Sequence, residues 1–374
     1  MDLKFIYAVS TLACTIIGVG LFSLPYITLK VGFPLILAYF LILGFLVILI
    51  HQLFGEVSLK TPDLKRLPGF VQYHLGERWK NFAFLISIIS LSGAILAYLI
   101  VGGEFLNELF SHYFSSNTLM WTIFYFVLGA VLIFFGIRSI SRVEFWGLIL
   151  FLLILLIFFL KVKGVINPSN LFIKDYPSEK IDIFLPYGPI LFSLWGASLI
   201  PEVEEILKEK KYILNKVIII SLLIPILVYL FFIYLILGIS GPSTTEYALV
   251  GLKNFVGEDI SKLLLFFGFL TTFTSFIALG LQLKKIFWYD LKLNKNLAFL
   301  LTVFPPILLF LLGVKQFLPL ISFLGAIMIG LEGILILLMY KKISQSKIKI
   351  TLSYLCFLVL FFGLVYEVFY FLNK

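Results

Sequence analysis

The stretch IIGVGLFSLPY, residues 16–26, sits inside an apolar run that extends over about 5–29. A run of that length crosses the roughly 30 Å hydrocarbon layer of a membrane as a helix. Yet Gly18, Gly20 and Pro25 stand where such a helix needs unbroken backbone pairing. In hydrocarbon an unpaired N–H or C=O costs several kcal/mol, so a helix broken here must face protein or a wet cavity. Freed amides at a half-helix N-terminus hold a carboxylate, and freed carbonyls hold a cation or an ammonium group. A lone pair of glycines also reads as a device for close helix packing. The balance turns on whether a second break exists elsewhere in the chain.

A second candidate lies in the run 184–206, which carries Pro186, Pro189 and Gly196 and ends in LFSLWGASLIPEVEEIL, residues 191–207. Nine further apolar runs meet the crossing length: 32–56, 81–110, 118–137, 143–163, 213–239, 262–289, 296–314, 318–340 and 350–372. About eleven transmembrane helices therefore take up most of the 374 residues, and the expected fold class is an all-α polytopic membrane protein. Runs one to five and six to ten form two halves of five. An odd number of helices per half forces the second half into the membrane inverted. The expectation is a single transport domain over 1–374, with a first repeat at about 5–163, a second at about 184–340 and an extra helix at about 350–372. The two broken runs are then the first of each half.

Composition agrees with this and excludes other classes. The chain is 61% apolar and 13% charged, against about 45–50% and about 25% for soluble domains. Lys and Arg exceed Asp and Glu by nine, but these charges lie between the apolar runs. Twenty of the 29 basic residues fall on the loops that share a side with the N-terminus, and nine on the other. The positive-inside rule then places the N-terminus in the cytoplasm and the C-terminus outside, at the cell membrane. No basic stripe for nucleic acid, no metal-ligand spacing among the three histidines and two cysteines, and no His/Asp/Glu cluster of an enzyme is legible. A Walker-type loop is absent too, which argues against ATP-driven pumping.

The first stretch resembles the first helix of the amino acid/polyamine/organocation superfamily, particularly its amino acid transporter branches with the aromatic amino acid permeases. Residues 191–207 resemble the broken sixth helix of that superfamily, and AYLIVGGEFL, residues 97–106, resembles its third. The resemblance implies a LeuT-like five-plus-five inverted repeat that moves an amino acid by alternating access, coupled to Na+ or H+. It implies that Gly18, Val19 and Gly20 offer amides to the substrate carboxylate, with Ser23 just beyond. Ser193, Leu194, Trp195, Gly196 and Ala197 would offer carbonyls to its ammonium group. Phe192 or Trp195 would lid the site, Tyr98 would face it, and Ala94, Ala97 and Phe276 would give it an apolar wall.

For the coupling ion two candidates stay open. Thr271, Thr274 and Ser275 share one helix face and supply hard oxygens; in several superfamily members such a face meets carbonyls of the first helix, here near Cys14 and Ile17. The same hydroxyls also bond back to their own helix. Glu332 lies mid-run, where a carboxyl is expensive and either carries a proton or makes a structural hydrogen bond. His51, Gln52 and Glu56 read as interfacial, and Glu204 pairs in register with Lys208. The partners expected are a small amino acid, neutral by the resemblance, and the lipid bilayer. No cofactor, nucleic acid or obligate protein partner is expected. The alternative function is a germination-receptor-like sensor that binds an amino acid without moving it.

Overall fold

The computed structural model describes residues 3–63, 65–110, 117–136, 140–172 and 182–373, with backbone alone at 140–143. Of the residues used above, Arg138, Lys174, Lys180, Lys374 and His112 lie outside the described residues, as does the Arg142 side chain.

Among the described residues every regular element is helical, and each predicted run has its helix. The first span is split into Leu3–Ile16 and Leu24–Val31, joined by a tighter turn at Val19–Ser23 and bent by 46°. The second is Phe33–Leu59, the third Glu77–Phe110, the fourth Thr118–Phe135 and the fifth Ile140–Val162. The sixth is split into Tyr187–Leu194 and Ile200–Leu207. Leu214–Ser240, Glu258–Lys285 and Lys295–Leu311 follow, then the tenth, from Phe317–Phe323 through a wider turn at Leu324–Ile329 into Gly330–Ile343, and last Lys347–Leu372.

By length and apolar composition eight helical stretches can cross a membrane, or nine with the bent first pair. One of these, Tyr187–Ser243, is 57 residues long. At about 1.5 Å per residue that is far more than one crossing, and it holds the sixth and seventh spans. Lys295–Leu311 is the short member of the set.

Sequence chemistry explains where the two broken spans restart. Pro25 stands in the first turn of the second half of span one, and Pro201 in the first turn of the second half of span six. The missing N–H costs nothing there, and the fixed φ is already helical. Pro186 and Pro189, by contrast, do not make the sixth break: they sit at the start of its first half. The break falls at Trp195 and Gly196, whose backbones leave the helical region.

The third and tenth spans are deeply enclosed, 72% of their apolar windows being buried, against 22% for the fourth and the eleventh. Peripheral side chains such as Leu41 and Phe135 are each 75% exposed, an outward apolar surface that only lipid satisfies. The first half of span one packs against spans five and seven and the second half of span six. The third packs on the eighth, the fourth and a short helix at Leu67–Leu75. That short helix seats Phe70 on Phe54 with ring centroids 5.3 Å apart and leaves Tyr73 exposed.

One end of the bundle is cross-tied by charge. Arg66 meets Glu202 at 2.5 Å, Lys60 donates to the Ile343 carbonyl at 3.3 Å, and Lys349 and Tyr340 both reach Glu56. Glu204 is not paired with Lys208. The helix stops at Leu207, Lys208 turns to φ +52°, and Lys211 takes Glu204 at 2.7 Å, with the Ser58 hydroxyl donating to its other oxygen.

Candidate functional site

The two breaks face each other. A Cβ added at Gly20 would overlap the Ser193 hydroxyl, and one at Gly18 would overlap the hydroxyl of Tyr98. Only glycine allows spans one, three and six to come this close at these points. The Tyr229 hydroxyl, on span seven and fully buried, lies 2.5 Å from the Ile16 carbonyl and 2.8 Å from that of Ser193. A single phenol thus spans both breaks, serving one carbonyl from each.

A cavity of about 110 Å³ lies between the breaks. Gly18, Val19, Gly20, Tyr98, Phe192, Ser193, Trp195, Gly196 and Ala197, all expected at the substrate, line it together with Ala94. Ser23 does not: it is buried, and its hydroxyl donates to the Gly20 carbonyl at 2.9 Å. Leu194 is fully buried outside the lining, as is Ala97. Phe276 is no part of the wall either, for it packs edge-on against Tyr125, 5.3 Å between centroids. The cavity reaches Arg66, Pro201 and Gln282 at the charge-tied end. Towards the other end Phe22 closes on Phe105 and Phe232, at 4.8 and 6.0 Å.

Several backbone groups at the breaks already have partners. The Gly18 amide donates to the Ile16 carbonyl at 2.7 Å. The Val19 backbone faces the Tyr98 hydroxyl, which also meets Ser275 of span eight. The Gly196 and Ala197 carbonyls accept from Leu199 and Ile200. Each carbonyl keeps a second lone pair for an incoming donor.

His51 departs most from the sequence reading. It is fully buried rather than interfacial. Its Nε2 accepts the Gly196 amide at 3.0 Å, and its Nδ1 donates to the Val47 carbonyl at 2.8 Å, a pattern that fixes the neutral Nδ1–H tautomer. The ring stands edge-on to Trp195, centroids 5.0 Å apart. The Trp195 indole in turn donates to Glu332 at 2.9 Å. Glu332 therefore belongs to the wall of this cavity and to the sixth break.

Glu332 is separate from the other residues expected to bind a cation. Cys14, Thr271, Thr274 and Ser275 line a second cavity between spans one, five and eight. Ile17 lies at the first break itself, its amide donating to Ala13. Thr271 and Thr274 hydroxyls donate to carbonyls of their own helix, at 3.0–3.2 Å. Among the described residues no group of three or more His, Cys, Asp or Glu is arranged to hold a metal.

The whole chain carries a family signature: residues 1–369 match the tryptophan/tyrosine permease family. The chain belongs to that family.

Solved structures give the same fold. The permease is similar to MhsT, described in complex with L-phenylalanine, at a TM-score of 0.70 and 15% identity, over 97% of this chain and 98% of that one. Mhp1, a nucleobase-cation-symport-1 family transporter described with bromovinylhydantoin bound, gives 0.61 and 15%, over 89% and 77%. A manganese transporter of Eremococcus coleocola gives 0.67 and 12%, over 98% and 86%. No curated protein matches by sequence. The fold is the LeuT fold, and the chain is an integral membrane protein, a secondary transporter of amino acids and not an enzyme.

Proposed function

We propose that the permease is a symporter that takes a neutral, aromatic amino acid across the cell membrane with Na+ or H+. The observation that carries this reading is the cavity between the two breaks. Val19 and Gly20 line it from the first break and Ser193, Trp195, Gly196 and Ala197 from the second, with Phe192 and Ala94 completing the wall. An α-amino acid presents a carboxylate and an ammonium group on one carbon, which suits that pairing of main-chain dipoles. The aromatic preference follows from the family and from the apolar lining. On binding, the substrate carboxylate replaces the Tyr98 oxygen at Val19, and the ammonium takes the free lone pairs opposite.

With the N-terminus cytoplasmic, as the distribution of Lys and Arg favours, the charge-tied end faces the cell interior. The cavity is then open inward and shut outward by Phe22, Phe105 and Phe232. Alternating access requires the Arg66–Glu202 tie to rearrange as this mouth closes. The two repeats, about 5–163 and 184–340, move against each other around the breaks, with the last helix as an addition. For a sodium ion the ligands are carbonyls near Cys14 and Ile17 with hydroxyls of Thr271, Thr274 and Ser275.

Purified protein in liposomes tests this. Labelled tryptophan, tyrosine or phenylalanine should accumulate above equilibrium under an inward Na+ or H+ gradient and not without one. Failure to accumulate any of the twenty amino acids under either gradient defeats the proposal, and binding without accumulation turns it to the sensor.

A further inference from the structure

Glu144, on span five, faces the stretch of span one that leads into the break. The residue is 9% exposed. The Thr15 hydroxyl shares its one proton between the Thr11 carbonyl at 3.0 Å and Glu144 Oε1 at 3.1 Å, whereas Oε2 is buried with no partner in hydrogen-bond geometry. Thr11, four residues earlier on the same face of span one, turns its buried hydroxyl to the same carboxyl, short of full hydrogen-bond geometry. Two buried oxygens that face each other without a formed hydrogen bond need a physical reason, since nearly all buried polar atoms are paired. An ionisable residue in such a place marks an ion path by default.

The carboxyl stands where two cavities meet. One, of about 360 Å³, is the polar vestibule at the charge-tied end, where Arg66, Glu202, Glu205, Gln282 and Lys285 face it. The other, of about 320 Å³, is the gap between spans one, five and eight, whose wall also carries Cys14, Thr271 and Thr274. Arg66 is held by Glu202, so the strongest cation of the vestibule is not spent on Glu144. In the second cavity oxygens are few: it is walled mainly by carbon, and its threonine hydroxyls donate to their own helix. A hard metal ion asks for a fuller shell of oxygens than this carboxyl and two threonines give. A proton needs only one oxygen to bind it and a second to accept from the new O–H, and Oε2 with the Thr11 hydroxyl supplies both.

We propose that Glu144 carries the coupling proton of this permease. Oε2 takes H+ from a hydronium ion in the vestibule, leaving water, and the new O–H donates to Thr11 Oγ1. Loaded, the carboxyl is neutral and ties span five to span one at both Thr11 and Thr15, two turns and one turn before the break. On release the proton returns to water, and a bare carboxylate is left facing the vestibule. The proposal rests on the reading of the chain as a coupled amino acid carrier, and it narrows that reading to one residue.

The test uses full-length protein in liposomes, with Glu144→Gln, Glu144→Asp and Thr11→Val. Wild type should accumulate substrate under an inward pH gradient without sodium, and substrate addition should drive proton entry seen by an internal pH dye. Glu144→Gln holds the neutral contacts but cannot release a proton. It should still exchange labelled for unlabelled substrate while losing both pH-driven accumulation and proton entry. Glu144→Asp should keep both, and Thr11→Val should shift the pH at which uptake is half-maximal. Undiminished pH-driven accumulation in Glu144→Gln overturns the proposal, as does an unshifted pH profile in Thr11→Val should Glu144→Gln not fold. Wild-type accumulation that needs sodium, with sodium dependence weakened in Glu144→Gln, makes the carboxylate a metal ligand and also overturns it. Absence of exchange in wild type refutes the carrier reading itself.

Discussion

Replacing Gly18 by alanine tests the packing that brings the first break to the third span. Gly18 has φ −113° and ψ −159°, an extended conformation open to any residue, so alanine meets no backbone penalty there. The cost comes from contact: the new Cβ overlaps the Tyr98 hydroxyl and lies 3.2 Å from its Cζ. Overpacking of this kind costs about 1–3 kcal/mol. If that falls on the substrate-ready state, transport efficiency drops about 5- to 150-fold. Tyr98→Phe alone removes the oxygen that faces Val19 and Ser275 and should weaken uptake for a different reason. In the double variant the Cβ and the missing oxygen compensate, leaving only the tight 3.2 Å contact to Cζ. Uptake and thermal stability in detergent, measured on all four proteins as a cycle, should show a favourable coupling of at least about 0.5 kcal/mol. The reasoning is refuted if Gly18→Ala behaves as wild type, or if the double variant is as impaired as the two single losses added together.

Two further variants probe the supports of the breaks. His51→Leu leaves the buried Gly196 amide without its acceptor and should cost about 1–3 kcal/mol of stability along with most uptake, while His51→Gln, which offers a carbonyl oxygen, recovers part; denaturation midpoints and uptake read both. Tyr229→Phe removes one hydroxyl from two carbonyls, a loss of about 0.6 kcal/mol and at most about 1.7 for hydrogen bonds in membranes, so the protein should stay folded while its turnover falls; full turnover contradicts the bridging role.

The breaks were legible because glycine and proline inside an apolar run of crossing length have few other uses. Their exact form was less so. In sequence the prolines of span six read with Gly196 as one interruption, but Pro189 satisfies its constraint in a first turn, and it is the Trp195–Gly196 pair that leaves the helix. Glu332 stood out because a carboxylate at mid-run has no cheap explanation. Its partner did not, since the Trp195 indole is 137 positions away in sequence. His51 and Tyr229 were invisible for a related reason. Each serves a main-chain group of a distant break, and a backbone partner leaves no complementary residue to find. Glu144 lies at the start of the predicted run 143–163 and carries no signal there; only the packing of span five on span one shows it buried. The pairing of Glu204 failed on local geometry, because Lys208 turns to positive φ and ends the helical register.

Determining the structure with a bound aromatic amino acid tests the central claim most directly. The account predicts the ligand between the two breaks, with its carboxylate on the Val19 and Gly20 amides, its ammonium on carbonyls within Ser193 to Ala197, and its ring against Phe192 and Ala94. A ligand seated in the vestibule with its charges on Arg66 and Glu202, and the breaks untouched, would contradict it.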